Sequence, residues 1–93
     1  MAALDLLGRR WALRILWELR DGPIGARALR ERCDGMSSSV LYQRLGELGD
    51  ARLVEQGHDG YGLTELGAEV RTAIAPLDDW AKRWAAQPAT GEP

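Results

Sequence analysis

Apolar residues recur at helical spacing through the first third of the chain and predict two helices there. Leu4 and Leu7 precede Gly8, so a short opening helix is expected to end at that glycine. From Arg9 the apolar positions repeat every three or four residues until Asp21-Gly22-Pro23, a sequence that ends helices. The apolar surface of this second helix is too wide for a helix with one face in water. We therefore expect it to pack on its own core and on a partner chain.

The next two helical patterns are short and are joined by a glycine turn. Apolar residues at i, i+3 and i+7 predict the first of them: Ala26, Leu29 and Cys33. After Asp34-Gly35-Met36, Ser37 or Ser38 supplies the N-cap hydroxyl of the second helix. Its inward-facing residues are expected to be Val40, Leu41, Leu45 and Leu48, and its outward-facing residues Ser39, Tyr42, Gln43, Gly46 and Glu47. Two short helices joined in this way form a helix-turn-helix arrangement.

The segments 52–56 and 61–63 are strand-like, and they flank Gly57-His58-Asp59-Gly60. Asp-Gly between such segments favours a β-hairpin, and a hairpin directly after a helix-turn-helix is typical of a wing. Ile24 stands alone between polar residues and glycines, so it is too short a segment to assign as a strand.

A long helix is predicted at the end of the chain, capped by Thr64 and running from about Glu65 to Ala86. Its apolar residues are spaced four, three, four, three and four apart: Leu66, Val70, Ala73, Leu77, Trp80 and Trp84. This heptad seam is the pattern found where two helices pair. Pro76 lies inside the helix and is expected to kink or briefly interrupt it.

These elements predict a mainly α fold with a small β-hairpin wing, a winged helix-turn-helix dimerised through its N- and C-terminal helices. The 93 residues allow one domain, which we place at residues 1–87, with a disordered tail at residues 88–93. Cys33 is the only cysteine, so an internal disulfide is excluded and a reducing compartment is expected. The apolar runs are too short for a membrane span or a secretion signal, so we expect a cytoplasmic protein.

The charge of the chain argues mildly against a nucleic-acid partner, since the net charge is −2. The distribution of charge changes this picture. Eleven of the twelve basic residues are arginine, and nine of these lie within the first 52 positions. Arginine suits bidentate contacts with phosphates and base edges, so the composition leaves DNA binding open.

Several segments in this order resemble the HxlR-type branch of winged-helix regulators, over nearly all of positions 4 to 84. They are Leu6–Trp11, Ile15–Leu19, Gly22-Pro23, Gly35–Leu45, Leu63–Gly67 and Trp80. The resemblance implies a homodimeric regulator, usually a repressor, that binds double-stranded DNA at a pseudo-palindromic operator. Its two recognition helices would enter successive major grooves about 34–36 Å apart.

Candidate DNA-contacting residues follow from this arrangement: Ser37, Ser38, Ser39, Tyr42, Gln43, Arg44, His58 and Tyr61. Gln43 can pair with adenine N6 and N7, and Tyr42 can reach a phosphate or a thymine methyl. Arg44 has two interpretations of equal weight, a phosphate contact or a brace to Glu47 or Glu18. One serine is needed as the helix cap. His58 at the wing tip is a candidate for a minor-groove contact, although a lone histidine in a turn is more often simply solvated.

The chain departs from the family in ways that predict weaker DNA binding. The family commonly has lysine at the position of Ser39 and often arginine at that of Gly46, and its wing is usually longer and more basic. Loss of about three phosphate contacts would reduce the salt dependence of binding. Many relatives sense oxidants through a cysteine near the N-terminus, but residues 1–9 contain none. Cys33 is expected to pack as a small hydrophobe.

Several large apolar residues are candidates for a dimer interface or for a cavity that takes a small aromatic effector: Leu4, Leu7, Trp11, Trp17, Leu77, Trp80 and Trp84. Interface packing is the more common role of such aromatic residues. An alternative function is a winged-helix protein-interaction module that has lost DNA binding. We expect no enzyme, cofactor or metal site, since the sequence offers no nucleophile–base pair, phosphate-binding glycine loop or metal-ligand set.

Overall fold

Residues 2–88 are the part of the chain that the computed structural model describes, and they form five helices and one hairpin. In chain order these are α1 (Ala2–Leu7), α2 (Ala12–Glu18), α3 (Ala26–Arg32), α4 (Ser38–Asp50), β1 (Val54–Gly57), β2 (Gly60–Leu63) and α5 (Glu65–Ala85). The predicted mainly α fold with a hairpin wing is confirmed, since this is a helix-turn-helix followed by a wing and a long last helix. Dimerisation through the terminal helices stays a prediction. Except for Pro88, the tail expected at residues 88–93 lies outside the described residues.

The core is built where α2, α3 and α4 meet. The largest of the side chains less than 2% exposed lie there, and they are Ile15, Leu16, Leu19, Leu29, Cys33, Leu41 and Leu48. No polar or charged residue in the described part of the chain is buried. The core is therefore stabilised by apolar burial alone, which is worth about 25 cal/mol for each Å² removed from water.

The connection from α1 to α2 is a compact turn, so α2 begins at Ala12 rather than at Arg9 as the periodicity suggested. Trp11 precedes the helix with a φ of +78°, a left-handed conformation that bulky residues rarely adopt. The α1 helix ends at Leu7, as the following glycine predicted.

The turn before α4 sets the direction of that helix. The Ser37 hydroxyl accepts a hydrogen bond from the Val40 amide at 3.2 Å, so Ser37 is the N-cap. Met36 is buried just before it and fixes the turn to the core. Leu41, Leu45 and Leu48 are buried, and Val40 is half-buried, as the sequence predicted.

The hairpin is tighter than expected. The pairing register runs from Val54 opposite Leu63 to Gly57 opposite Gly60, which leaves His58 and Asp59 as the loop. The positive φ of this turn, +112°, falls on Gly60, whose missing side chain lets the Ile24 carbonyl approach. Ile24 forms an isolated antiparallel bridge with Tyr61, so the short segment does pair with the wing.

The first wing strand begins two residues later than predicted because Arg52 belongs to the end of α4. Its φ is +65°, and the Leu53 amide donates to the Leu48 carbonyl at 2.9 Å. This bond and the left-handed residue before it are the marks of a Schellman cap. The chain can enter β1 only after that cap, at Val54.

The α5 helix runs without a break from Glu65 to Ala85. Of the kink or interruption expected at Pro76, the interruption is therefore wrong, and the kink stays a prediction. A proline at position 76 leaves the Thr72 carbonyl without its backbone donor, but Thr72 is exposed, so water can bind that carbonyl. Thr64 caps the helix as predicted, accepting from the Gly67 amide at 3.0 Å. Among residues 2–88 no helix has the length and apolarity that a bilayer crossing requires.

Gly67 is where α5 touches the body of the domain most closely. A methyl group there would overlap the Leu53 carbonyl oxygen, which is backbone and cannot move aside cheaply. We predict that Gly67→Ala lowers the free energy of unfolding by about 1–3 kcal/mol, measured by urea denaturation. Gly46→Ala is the matched control, because nothing lies within 4 Å of that position. The control should be more stable by about 1 kcal/mol. If the free energy of unfolding of Gly67→Ala equals that of the parent, the close approach of Gly67 to the Leu53 carbonyl is contradicted.

Candidate nucleic-acid interface

The outer face of α4 lies opposite the three buried leucines and is open to solvent. Ser39, Gln43 and Gly46 are exposed, and the Tyr42 side chain is 55% exposed. Side chains on this face are spaced three or four residues apart, so they project in one direction. The outward positions are those expected from the sequence, except that Glu47 is half-buried. A 13-residue helix with a free, uncharged polar face fits the width of a DNA major groove.

The serines at the start of α4 have different roles. Ser37 is occupied as the cap, and its Oγ also lies 3.3 Å from the Ser39 Oγ. Ser38 and Ser39 are exposed in the first helical turn. The Ser37 hydroxyl is thus already engaged in the cap, whereas no cap contact occupies the hydroxyls of Ser38 and Ser39.

Arg44 makes the bracing contacts that were one of its two interpretations. Its Nη1 donates to both carboxylate oxygens of Glu47 at 3.1 and 3.2 Å, and its Nε donates to the Arg10 carbonyl at 2.8 Å. Arg9 donates to the same carboxylate at 2.8 Å. The brace to Glu18 is not formed, since Glu18 pairs with Arg14. The network fastens the α1–α2 turn to the middle of the recognition helix.

The wing carries no basic residue other than His58, and it carries two acids. His58 is exposed at the tip, beside Asp59, and Glu55 is exposed on β1. Tyr61 is half-buried on β2 and packs against the core. It shares a recess of about 320 Å³ with Tyr42 and Gln56, between the wing and α4. The structure therefore brings Tyr61 beside the recognition helix and leaves His58 at the tip of the wing.

Apart from the polar face of α4, an exposed apolar surface covers parts of α1 and α5. On it, the exposed fractions of Leu4, Leu77, Trp80 and Trp84 lie between 48% and 66%. We call these four residues the α1/α5 apolar face. Beside it, an apolar groove of about 280 Å³ is lined by Leu4, Leu7, Gly8, Leu13, Val70, Ala73, Ile74 and Leu77. Ile74 turns toward the core beside Val70, a contact that the heptad pattern did not identify.

The four tryptophans do not face one another as a single cluster. Trp80 and Trp84 stack on each other along α5, with ring centroids 6.0 Å apart and planes inclined by 11°. Trp11 and Trp17 are half-buried and are covered by the guanidinium groups of Arg10 and Arg20, at 5.4 and 4.4 Å. None of the four lines the apolar groove.

Cys33 is fully buried, as predicted for a small hydrophobe. Burial raises the pKa of its thiol, while the nearby Arg14 charge opposes that shift and Glu18 adds to it. The thiolate is the reactive form, so the raised pKa keeps this cysteine unreactive at neutral pH. In the described part of the chain, no cluster of three or more His, Cys, Asp or Glu residues could hold a metal ion.

Sequence reasoning did not identify the arginines around the recognition helix as a group. Arg9 and Arg10 reach α4 from the α1–α2 turn, across more than thirty residues of chain. Arg27 and Arg30 lie on α3, where a spacing of three places them on one face. That spacing was the signal available in the sequence for the α3 pair.

The Arg44 network gives a stability prediction. The Arg44 side chain is only 16% exposed, so Arg44→Ala removes three charge-assisted contacts from a partly dry site. We expect a loss of about 1–2 kcal/mol in the free energy of unfolding, measured by urea denaturation. The control is Lys82→Ala, which breaks a pair whose lysine is 74% exposed. That change should stay within about 0.5 kcal/mol. Equal effects of the two substitutions would show that the network does not brace α4.

Comparison with known proteins places this geometry among DNA-binding regulators. The model of the HxlR-like helix-turn-helix family matches residues 6–89. The HTH-type transcriptional regulator YodB of Bacillus subtilis is 30% identical over 90 residues, which cover 89% of this chain and 80% of YodB. The uncharacterised HTH-type regulator MJ0925 of Methanocaldococcus jannaschii is 27% identical over 88 residues, covering 90% of this chain and 83% of that protein.

Solved structures show the same fold. A possible HxlR family transcriptional factor from Thermoplasma volcanium superposes with a TM-score of 0.85 at 30% identity, covering 91% of this chain and 83% of that one. Quinone-bound YodB superposes with a TM-score of 0.81 at 33% identity, covering 88% of this chain and 93% of that one.

Proposed function

Since the chain belongs to the HxlR-like helix-turn-helix family and is a DNA-binding transcriptional regulator, we propose that it acts as a homodimer on a pseudo-palindromic operator. The observation that carries this proposal is the outer face of α4, with Ser39, Tyr42 and Gln43 exposed opposite a buried leucine face. We further propose that binding represses a neighbouring gene, the usual role implied by the family resemblance.

Base recognition is assigned to Gln43 and Tyr42. A glutamine amide has a donor and an acceptor and can therefore contact adenine N6 and N7 together. Tyr42 offers a ring to a thymine methyl and a hydroxyl to a phosphate. The α4 helix carries one arginine, which is engaged with Glu47 and the Arg10 carbonyl. Specificity on this helix therefore rests on neutral side chains.

The homodimer is supported by the α1/α5 apolar face. Leu77, Trp80 and Trp84 lie along one side of α5, and Leu4 of α1 adjoins them across the apolar groove. Large contiguous apolar patches are rare on monomeric proteins and mark interaction surfaces. A second copy of the chain is the occupant we propose, since a two-fold interface lets each protomer cover the same face of the other.

Response to an effector is a further part of this proposal. YodB has been solved with quinone bound, and a planar aromatic compound is the class of effector we propose here. Residues 1–9 contain no cysteine and Cys33 is buried, so a covalent thiol adduct is not the proposed mode. The apolar groove between α1 and α5 is the proposed non-covalent site, next to the dimer face.

Gln43 allows a direct test of DNA reading. Selection of binding sites from a random duplex pool should yield an inverted repeat. At one adenine of each half-site, Gln43→Ala should lose discrimination by about 1–3 kcal/mol, which is about 5- to 150-fold in relative affinity. Gln87→Ala, an exposed glutamine beyond α5, is the matched control and should discriminate like the parent. If the selection enriches no DNA and the folded chain captures a protein partner, the result would instead support an interaction module that has lost DNA binding.

The apolar face of α5 allows a separate test of the dimer. Trp80→Glu with Trp84→Glu should convert the protein to monomer in analytical ultracentrifugation, because two charges cannot be buried unpaired at an interface. Ala75→Glu adds a charge to the exposed opposite side of the same helix and should remain dimeric. A parent protein that sediments as a monomer at high concentration would refute the homodimer.

A further inference from the structure

We propose that the main contact with the DNA backbone is made by α3, through Arg27 and Arg30, and that the wing does not contribute to it. The inference rests on the proposed DNA-binding function and adds to it a surface outside the recognition helix. The partner is a backbone phosphodiester of the same duplex that α4 reads. Neither arginine was among the candidate contacts from the sequence.

The site is a cleft of about 210 Å³ between α3 and α4, with both arginines on its α3 side and Ser38 and Tyr42 on its α4 side. Its full lining is Ala26, Arg27, Arg30, Ser38, Leu41 and Tyr42. It contains two cations, two hydroxyl groups and no carboxylate. Arginine donors and hydroxyls are the groups that most often hold DNA phosphates.

The two arginines are free to bind an anion. In residues 2–88 no carboxylate oxygen lies within 4.0 Å of either guanidinium, whereas Arg9, Arg14, Arg20 and Arg44 are all paired with acids. Arg30 is also held in place, because its Nε donates to the Met36 carbonyl at 3.1 Å. This contact ties the guanidinium to the turn that precedes α4 and lowers the entropy it loses on binding.

Acids do lie near this surface, on its other side. Glu31 and Asp34 line an open recess that also includes Arg27, Arg30 and Ser37. Because these carboxylates repel a phosphate, they favour its position in the α3–α4 cleft, where no acid is present. The cleft adjoins the first turn of α4, so a phosphate held there would fix the register of the recognition helix.

The charge of the wing is opposite in sign to that of the α3–α4 cleft. Glu55 and Asp59 are exposed on it, and His58 is its only residue that can become positive. Because two carboxylates outnumber the one histidine, the wing presents a net negative surface to the duplex. Compared with the wing, the α3 side of the interface is therefore the surface better suited to bind the DNA backbone.

Salt dependence of binding to an arbitrary duplex tests this inference, because non-specific affinity is almost entirely phosphate contact. The probe is a labelled duplex of about 30 base pairs, titrated by fluorescence anisotropy between about 50 and about 200 mM NaCl. The measured slope is that of the logarithm of affinity against the logarithm of salt concentration. Loss of two phosphate contacts lowers its magnitude by about 1.8 per protomer. Across this range the parent should therefore lose about 12-fold more affinity per protomer than R27A/R30A does.

Two further variants make the test specific. K82A/R83A removes the same charge from the last turn of α5 and should keep the slope of the parent. R27K/R30K keeps the charge and should retain most of the slope, which separates phosphate binding from a structural role of the α3 side chains. Circular dichroism checks that each variant is folded.

The inference is overturned if R27A/R30A keeps the slope of the parent, or if K82A/R83A reduces it equally. It is also overturned if neutralising the arginines has no effect while deleting the hairpin loop His58-Asp59 flattens the slope. A folded parent protein that binds no duplex at about 50 mM salt would refute the proposed function itself, and with it this surface.

Discussion

The burial of Leu41, Leu45 and Leu48 against α2 and α3 is the contact on which the rest of the structure depends. It fixes the rotation of α4, and a helix rotated in this way must present Ser39, Tyr42 and Gln43 to solvent. The Ser37 cap at one end and the left-handed Arg52 at the other define the length of the helix. The salt bridges from Arg44 and Arg9 to Glu47 then tie it to the α1–α2 turn. Recognition is thus built on a rigid element, held at both ends and along its side.

A net charge of −2 is compatible with DNA binding because the charges are unevenly placed. Near α4, Arg9 and Arg44 share the single carboxylate of Glu47, and the wing is acidic. On the α3 side of the interface, Arg27 and Arg30 have no acid partner within 4.0 Å in the described residues. The proposed division of labour follows from this arrangement: α3 holds the backbone, α4 reads bases, and α1 with α5 joins the protomers. Affinity should then be modest and sensitive to salt, with sequence discrimination carried by uncharged side chains.

Local rules predicted much of the fold because the sequence is locally consistent: Gly8 ends α1, Ser37 and Thr64 cap their helices, and the leucines of α4 are buried. They failed where solvent exposure or a distant contact decided the outcome. The α5 helix continues through Pro76 because water can bind the carbonyl of the exposed Thr72, and Ile24 pairs with Tyr61 across the domain. The candidate site divides in the same way. The exposure of Tyr42 and Gln43 could be predicted from the helical period of the apolar residues alone. The Arg44 contacts and the α3–α4 cleft depend on segments brought together by folding.

The central claim is that two copies of α4 enter successive major grooves on one face of the DNA. Methylation interference at guanine N7, a major-groove atom, tests it most directly on a selected binding site. The account predicts two clusters of interfering guanines about 10–10.5 base pairs apart, centre to centre, related by the two-fold axis of the inverted repeat. A single cluster, or interference confined to adenine N3 in the minor groove, would contradict it.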